Sequence, residues 1–501
     1  MDISGAVLLL TDNINAWFYI LPGLIIGLVF GAIPGISVTM AMALFLPMTL
    51  YMDFLSAIIF LTSIYTGAGF GGSVPAILMK IPGTSSAVAT TFDGYPMAER
   101  GLHNEALGYA ITSSTLGMFL AYVVLLFLIG PISSIVLYMG PIEMTLVAIW
   151  GVLLLGSLAG RSVSRGLLAG VFGLLVGTVG INTAGHVRGT MGVNWLFDGI
   201  PIVPAIIGLL AASQLFSLVG SNYLVASEAN RKPDFKKVLL GVRQALYKPL
   251  IMLRGSLIGA FIGAIPGVGS SIANLISYSE ARRYSKDPDS FGTGNPDGVI
   301  AAESANSSSE GGAMATMLSL GIPGGGATAI LLVAFSIHGV VGGPRFIRDE
   351  LDTVYAIILV NLFQAPVLLI IGLIFVLIAA SIVKLPIRIL VPIILVVATF
   401  GSFSVTGNMS GPWTMLIFAI IGWLSVKYHY PTASIVIGLI LGRILETQLL
   451  RAYQITRGDF SIVLSRPAAV ILMIVLSLSI LFSIYKAYKN KKSTKIENQQ
   501  A

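Results

Sequence analysis

Residues 27–37 read GLVFGAIPGIS and residues 259–270 read GAFIGAIPGVGS, so one Gly-Ala-Ile-Pro-Gly core occurs twice inside apolar sequence. Proline removes a backbone donor and breaks a helix, and glycine lets the chain turn at little steric cost. Each copy therefore predicts a helix that is interrupted within a long apolar stretch. Pro34 of the first copy and Pro266 of the second stand 232 positions apart (34 to 266).

A second pair of breaks follows at nearly the same spacing. Residues 71–83 read GGSVPAILMKIPG and residues 311–324 read GGAMATMLSLGIPG, which sets Pro82 against Pro323 at an offset of 241 positions (82 to 323). Because the two pairs keep their order and nearly their offset, we interpret the chain as a duplication. Broken backbone at membrane depth is tolerated only where protein or water covers it.

The composition is that of a membrane protein. Of 501 residues, 55% are hydrophobic and 10% are charged, and the mean hydropathy is +0.91; soluble proteins carry about 25% charged residues. Runs without any charged residue, such as 13–52, 54–79 and 311–344, are each long enough for a span or for two. We expect an all-α polytopic membrane protein with about 11–14 membrane elements, counting broken or re-entrant helices.

Other classes of protein are disfavoured by what the sequence lacks. A soluble helical protein would need polar helix faces, which the long apolar runs do not provide. The chain has no cysteine, no G-x-x-x-x-G-K-[ST] phosphate loop, and no hydrolase or H-E-x-x-H pattern around its four histidines. We therefore expect neither an enzyme nor a cofactor. The net charge of +7 resides in loops and the tail, so it does not indicate nucleic-acid binding.

The basic residues orient the chain through the positive-inside rule. They concentrate in the 221–248 segment, at Arg161 and Arg165, and in the C-terminal tail, all of which we interpret as cytoplasmic. The N-terminal segment has Asp2 and Asp12 but no basic residue, so we place it outside. The two Gly-Ala-Ile-Pro-Gly copies would then enter from opposite sides, which predicts two inverted-topology repeats.

The predicted organisation follows from these repeats. Residues 1–220 form the first membrane repeat and residues 249–464 the second, and a basic cytoplasmic linker at 221–248 joins them. A C-terminal membrane helix over 465–487 and a basic cytoplasmic tail over 488–501 complete the chain.

Small polar residues surround the four breaks and define a candidate substrate site. Helix N-termini at such breaks present free N–H groups and a positive dipole end, and hydroxyl groups add donors without a full charge, so the combination suits a carboxylate. The alternative is that these glycines and serines serve helix packing, for which membrane bundles also use them. The predicted substrate-binding residues at the breaks are Gly35, Ser37, Gly83, Thr84, Ser85, Gly267, Ser270, Gly324, Gly325 and Thr328.

Residues 299–317, VIAAESANSSSEGGAMATM, form an unusually polar run. We interpret the run as a partly unwound segment that lines a translocation path and whose carboxylates bind a coupling cation; a soluble loop is the alternative. Separately, Arg443 lies three residues before Glu446, so the two are expected to pair on a helix. The predicted cation-binding residues are Thr39, Asn274, Glu303, Ser307 and Glu310.

The same segments resemble the large membrane subunit of the tripartite tricarboxylate transporters. The likeness spans nearly the whole chain and is most specific over residues 290–328, from SFGTGN through LGIPGGGAT. The resemblance implies a secondary transporter of three components. An extracytoplasmic solute-binding protein captures a carboxylate such as citrate, this subunit carries it inward, and a small four-helix membrane subunit accompanies it.

The resemblance also implies symport with Na⁺ or H⁺, a place in the cell inner membrane, a functional role for the four Pro-Gly breaks, and Asn306 as a further substrate-binding residue. A passive channel or pore for organic anions would use the same breaks without alternating access and stays the alternative. Lys80 and the Met-rich TMAMALFLPM stretch depart from the family pattern and leave the substrate open. A monomer and a homo-oligomer are both compatible with the sequence.

Overall fold

The computed structural model describes residues 3–33, 36–136, 138–154, 163–182, 185–218, 233–266, 269–382, 387–457, 459–474 and 476–478. The predicted site residues Gly35 and Gly267 and the predicted tail at 488–501 lie outside the described residues. Within the described chain, the strands are limited to the short antiparallel pair β1 (Gly180–Ile181) and β2 (Val187–Arg188).

Helices make up most of the first half of the described chain. A π-helical segment at Ile207–Ala212 joins the last two of them, and 3-10 turns occur at Leu46–Tyr51, Ser85–Ala87 and Asn194–Leu196. The helices are α1 (Ser4–Asp12), α2 (Ile14–Phe18), α3 (Ile20–Gly31), α4 (Val38–Phe45), α5 (Phe54–Gly71), α6 (Ser73–Met79), α7 (Thr90–Glu99), α8 (His103–Val136), α9 (Pro141–Leu154), α10 (Val163–Gly177), α11 (Ile202–Ile206) and α12 (Ser213–Leu218).

The second half is helical as well, with 3-10 turns at Pro288–Ser290 and Phe460–Ser465. Its helices are α13 (Phe235–Leu246), α14 (Pro249–Gly263), α15 (Gly269–Arg283), α16 (Pro296–Leu320), α17 (Gly326–Ile337), α18 (Pro344–Asp349), α19 (Leu351–Ile382), α20 (Ile387–Thr406), α21 (Ser410–Lys427) and α22 (Thr432–Thr456).

Five stretches of helix in the described chain are long and apolar enough to cross a membrane, and α13 and α14 form a further pair that bends by 79°. Seven shorter apolar helices, of 10 to 17 residues, accompany them. The prediction of an all-α polytopic membrane protein is confirmed, while the number of crossings stays a prediction. The five spanning stretches are Ile14–Gly31, Phe54–Met79, His103–Ile132, Leu351–Ile378 and Thr432–Thr456.

Residue contacts divide the chain into two compact units, and the predicted boundaries of the repeats stay a prediction beside them. The first unit comprises the described residues of 1–133 and 201–427, and the second those of 134–200 and 428–501.

In the second unit, Arg188 pairs with Glu446 at 2.5 Å. Arg443 instead donates to the Asp198 carbonyl at 2.6 Å. The predicted Arg443–Glu446 pair is therefore wrong, because each side chain faces a different partner.

Two equivalent helix pairs form the core of the first unit. In each pair, three glycines spaced four residues apart bring one helix against backbone carbonyls of the other, since a missing side chain allows this close approach. Each of these glycines on α3 stands 232 positions before its counterpart on α14, and each residue that it contacts on α5 stands 241 positions before its counterpart on α16. These are the offsets of the two sequence motifs, so the contacts support the duplication. The contacts are Gly23–Phe60, Gly27–Ile64 and Gly31–Ala68 between α3 and α5, and Gly255–Ala301, Gly259–Ala305 and Gly263–Ser309 between α14 and α16.

The polar run at 299–317 is an uninterrupted part of α16. The helix begins with Asn295, whose side chain accepts from the Asp297 N–H at 2.8 Å, and ends at Gly321 in the left-handed region. Both sequence interpretations, the partly unwound segment and the soluble loop, are wrong. The helix persists because α5, α14 and other helices surround it, so that nearly every residue of α16 is buried and packing overrides the modest helix propensity of its serines.

Candidate functional site

The second and third breaks meet each other, although they come from different halves of the sequence. Ser271, on α15, donates its hydroxyl to Ser85 Oγ at 2.9 Å. Asn274, one turn further along α15, donates its side-chain amide to the Ser86 carbonyl. Thr84 and Ser86 share a hydrogen bond at 3.0 Å, and both are buried. Helix α15, which follows the third break, is therefore hydrogen-bonded to Ser85 and Ser86, which follow the second break.

The first and fourth breaks meet in the same way. Ser37 caps α4 by accepting from the Met40 N–H at 3.1 Å, and its hydroxyl lies 2.9 Å from Thr39 Oγ1. The Thr39 side chain lies directly against Gly326, the first residue of α17. Thr328 caps α17 by accepting from the Gly325 N–H at 3.0 Å.

Contacts within each half link these two junctions. A side chain at Gly83 would collide with the carbonyl oxygen of Gly31, so the second break lies against the end of α3 just before the first break. Gly324 lies in the same way beside the Gly263 carbonyl, just before the third break. The described residues that flank the four breaks consequently form a closed ring of contacts, in the order first, second, third and fourth break; we call this set the ring of breaks.

The polar residues of α16 form a second cluster beside α5, α7 and α8. Glu303 accepts a hydrogen bond from Thr90 and another from Ser114 at 2.8 Å. Glu310 accepts from Thr66 at 2.8 Å and from the Tyr122 hydroxyl at 3.0 Å. Both glutamates are buried.

The helices α5 and α16 run antiparallel where they cross. Thr66 of α5 contacts Glu310, while Gly69, further along α5, accepts through its carbonyl from the earlier residue Asn306 at 3.2 Å. These two helices occupy equivalent places in the duplication. An inverted repeat requires such an opposed direction, but the inverted topology itself stays a prediction.

The two glutamates lack the compensation that a buried charge normally has. Among the described residues, neither forms an ion pair with a basic side chain. An uncompensated buried charge costs several kcal/mol, so a bound proton or a cation is the natural complement to such carboxylates. Hydroxyl and carboxylate oxygens are also the ligands that hard cations prefer.

The structure thus brings together most of the predicted residues that it describes. Ser37, Thr39, Gly83, Thr84, Ser85, Asn274, Gly324, Gly325 and Thr328 belong to the ring of breaks. Glu303, Asn306, Ser307 and Glu310 belong to the α16 cluster, with Ser307 buried between the two glutamates. Ser270 lies half-buried in the first turn of α15.

Sequence reasoning missed the hydroxyl donors of the α16 cluster. Thr66, Thr90, Ser114 and Tyr122 stand on three other helices, and no motif distinguishes them from ordinary polar residues. An available signal was the position of three of them: Thr66, Ser114 and Tyr122 are hydroxyl residues within the predominantly apolar helices α5 and α8, where such groups need a partner.

Sequence reasoning also missed Asp93, whose hydrogen bonds explain the glycines of the SFGTGN segment. One carboxylate oxygen of Asp93 accepts from the backbone N–H groups of Gly292, Gly294 and Asn295, each at 2.8 Å. The other oxygen accepts from the Tyr278 hydroxyl at 2.9 Å. Gly292 and Gly294 have φ values of +85° and +106°, so glycine permits the loop to wrap a buried carboxylate. The role of this segment is to fix the start of α16 onto α7.

Comparison with known proteins gives the family. Residues 17–437 match the family described as "Tripartite tricarboxylate transporter TctA family". A protein of Agrobacterium vitis described as "Uncharacterized 52.8 kDa protein in TAR-I ttuC' 3'region" is 31% identical over 480 residues, which cover 95% of this chain and 94% of that protein.

A second Agrobacterium vitis protein, "Uncharacterized protein in TAR-II ttuC' 3'region", is 28% identical over 234 residues, or 47% of this chain and 97% of that protein. No solved structure matches the chain. Members of the matching family are components of three-part transporters and work with partner proteins. The chain is therefore a multi-pass membrane protein that belongs to the tripartite tricarboxylate transporter TctA family.

Proposed function

We propose that this chain is the subunit that carries a carboxylate, such as citrate or a related di- or tricarboxylate, across the cell inner membrane by secondary transport. An extracytoplasmic solute-binding protein delivers the substrate, and a small four-helix membrane subunit completes the complex. Transport is inward and is coupled to Na⁺ or H⁺. The N-terminus faces outward, and the C-terminus faces the cytoplasm.

The ring of four breaks is the observation that supports this proposal most. It gathers hydroxyls, a side-chain amide and helix N-termini from both halves of the chain into one place, without a basic residue among the groups that make the ring contacts. Such a donor set binds a carboxylate and still releases it, because a single buried Lys or Arg would hold the anion too firmly. Broken helices from two halves that meet are typical of secondary transporters.

The α16 cluster supports the coupling to a cation. Glu303 and Glu310 are buried next to the ring on a helix that packs against α5. Among the described residues, both accept from hydroxyl groups and neither forms an ion pair with a basic side chain. A proton or a Na⁺ that enters with the substrate would neutralise them. Asn306 lies between them on α16 and links that helix to α5.

Uptake into proteoliposomes tests the proposal. The full-length chain with its small subunit should concentrate a radiolabelled carboxylate only when the binding protein and a Na⁺ or H⁺ gradient are both present. Uptake that persists unchanged without either component contradicts the mechanism. Uptake that only equilibrates the substrate across the membrane favours the passive channel.

Substitutions in the same assay test the site. Thr84→Val and Asn306→Ala should each lower uptake at least tenfold without lowering the amount of protein in the membrane, because each removes a polar group from the ring or from the crossing. Thr399→Val is the matched control, since Thr399 is half-buried on α20, away from the ring contacts, and among the described residues its hydroxyl donates to the Leu395 carbonyl of its own helix. Wild-type uptake by both site variants would remove these residues from the substrate path.

A further inference from the structure

A cavity of about 800 Å³ lies at the opposite end of α16 from Gly321 and is separate from the ring of breaks. The end of α13, the first turns of α14, the end of α15 and the start of α16 enclose it. Helix α13 is amphipathic: Phe235, Leu239 and Leu246 form an exposed apolar stripe, while Lys236 and Lys237 point elsewhere. An amphipathic helix that bends by 79° from an apolar helix such as α14 is typical of a membrane interface.

The charges that line the cavity leave a net positive charge of one. Lys248 pairs with Asp297 at 3.1 Å, so these two residues compensate each other. Arg254 and Lys286 form no ion pair among the described residues, and Asp287 is the remaining carboxylate of the cavity wall. The surplus matches the single negative charge of a phosphodiester.

An apolar groove of about 590 Å³ continues from the cavity along α14 and α15. Arg254 and Tyr284 line both spaces, and the Arg254 guanidinium lies 4.6 Å from the centre of the Tyr284 ring. Beyond these two residues the groove is lined by Ile258, Phe261, Ile262 and Ile276. The one polar residue there is Glu280, and it pairs with Arg283 at 3.7 Å.

The cavity and the groove follow each other as the headgroup and the acyl chain of an amphiphilic lipid do. A basic cavity lies at the level of the interfacial helix, an arginine–tyrosine pair lies at the boundary, and apolar side chains continue for about 12 Å along α14. Phe261 is 81% exposed, so the groove faces outward from the helix bundle of this unit. Basic pockets between membrane helices bind anionic lipid headgroups in this manner, and long basic side chains reach the interface from within the apolar layer.

We propose that the cavity and groove form a binding site for one anionic phospholipid, with the phosphodiester beside Arg254 and Lys286 and an acyl chain along Ile258 and Ile276. A soluble dicarboxylate or a free phosphate would use the basic cavity but leave the groove empty.

Thermal unfolding of the delipidated full-length chain in detergent tests the proposal. Dioleoylphosphatidylglycerol should raise the unfolding midpoint by several degrees and remain as one adduct in native mass spectrometry, and dioleoylphosphatidylcholine should do neither. The double variant Arg254→Gln, Lys286→Gln should weaken the lipid affinity at least tenfold. Lys427→Gln should not, because Lys427 is an equally exposed basic residue that lies over a ring, Trp423, outside the cavity.

Three results would overturn the proposal. Equal stabilisation of the double variant and the wild type by phosphatidylglycerol would show that the lipid binds elsewhere. Inorganic phosphate or citrate that stabilises as strongly as the lipid would make the site one for a soluble anion. Unchanged lipid affinity in Ile276→Trp, which fills the groove without touching the cations, would exclude the acyl chain from it.

Discussion

Glu303 and Glu310 stand seven residues apart on α16, which places them about 10 Å apart along the helix. Their environments are similar in kind, because each accepts from a hydroxyl group on α8, but the second hydroxyl donor comes from a different helix in each case. Glu303 is tied to α7 and α8 through Thr90 and Ser114, and Glu310 to α5 and α8 through Thr66 and Tyr122. Since α5 is also the helix that crosses α16 beside Asn306, we expect Glu310 to couple a cation to movement of these two helices.

Glu310→Gln should therefore uncouple transport. Glutamine keeps the size of the side chain and an oxygen that accepts from Thr66, but it cannot carry the charge that a proton or Na⁺ neutralises. We expect uptake against a concentration gradient to fall at least tenfold, while exchange of labelled for unlabelled substrate across the membrane persists. Both rates are measured in the same proteoliposomes.

The control for this substitution is Glu350→Gln, because Glu350 is exposed and its carboxylate accepts from Thr353. It should leave both rates unchanged. Normal accumulation by Glu310→Gln would contradict a coupling role for Glu310.

At the scale of elements, the two glycine-mediated helix pairs hold the first unit together. Gly67 and Gly69 of α5 differ sharply in what an added side chain would meet. A Cβ at Gly67 would collide with the Leu24 carbonyl of α3, whereas a Cβ at Gly69 would have no atom within 4 Å among the described residues. Substitution of Gly67 therefore tests the close packing of α3 against α5, and substitution of Gly69 serves as a control on the same helix.

Gly67→Ala should destabilise the protein by about 1–3 kcal/mol, because overpacking forces α3 and α5 apart. Gly69→Ala should be neutral or stabilise the protein by up to about 1 kcal/mol, because the added methyl meets no described atom and alanine is favoured over glycine inside a helix. Unfolding by denaturant in detergent measures both. Equal loss of stability in the two variants would show that the α3–α5 contact is not the cause.

The sequence predicted elements better than it predicted their contacts. The Pro-Gly motifs located the breaks, and their offsets of 232 and 241 recur in the glycine contacts of both helix pairs. The contacts of Ser85 with Ser271 and of Thr39 with Gly326 could not be predicted from the sequence alone, because they join residues 186 (85 to 271) and 287 (39 to 326) positions apart. The α16 run was misread as unwound because local composition does not show that neighbouring helices enclose it.

At the scale of the whole first unit, several contacts give the direction of the central helices. Helix α16 begins beside Lys248, through the Lys248–Asp297 ion pair, and ends where Gly321 packs against Gly342 and Gly343. Helix α5 begins at this second end, where the ring of Phe54 lies 5.8 Å from that of Phe346. The start of one helix and the end of its counterpart therefore share one face of the unit.

Because the two ends of α16 lie at opposite faces of the unit, cysteine labelling can test the predicted inverted topology. The chain has no cysteine, so Lys236→Cys and Glu350→Cys each introduce a single thiol, both at exposed positions. If the basic α13 is cytoplasmic, a membrane-impermeant maleimide added to intact cells should label position 350 and not position 236. Labelling at 236 should appear only after the membrane is opened with detergent.

The reverse pattern, with 236 labelled from outside, would keep the inverted arrangement but place the N-terminus in the cytoplasm. Labelling of both positions from one side would contradict the arrangement itself, because α16 would then have both ends on one face of the membrane. The experiment is decisive because α16 has 25 residues and is about 37 Å long, which suffices to cross the hydrocarbon layer once.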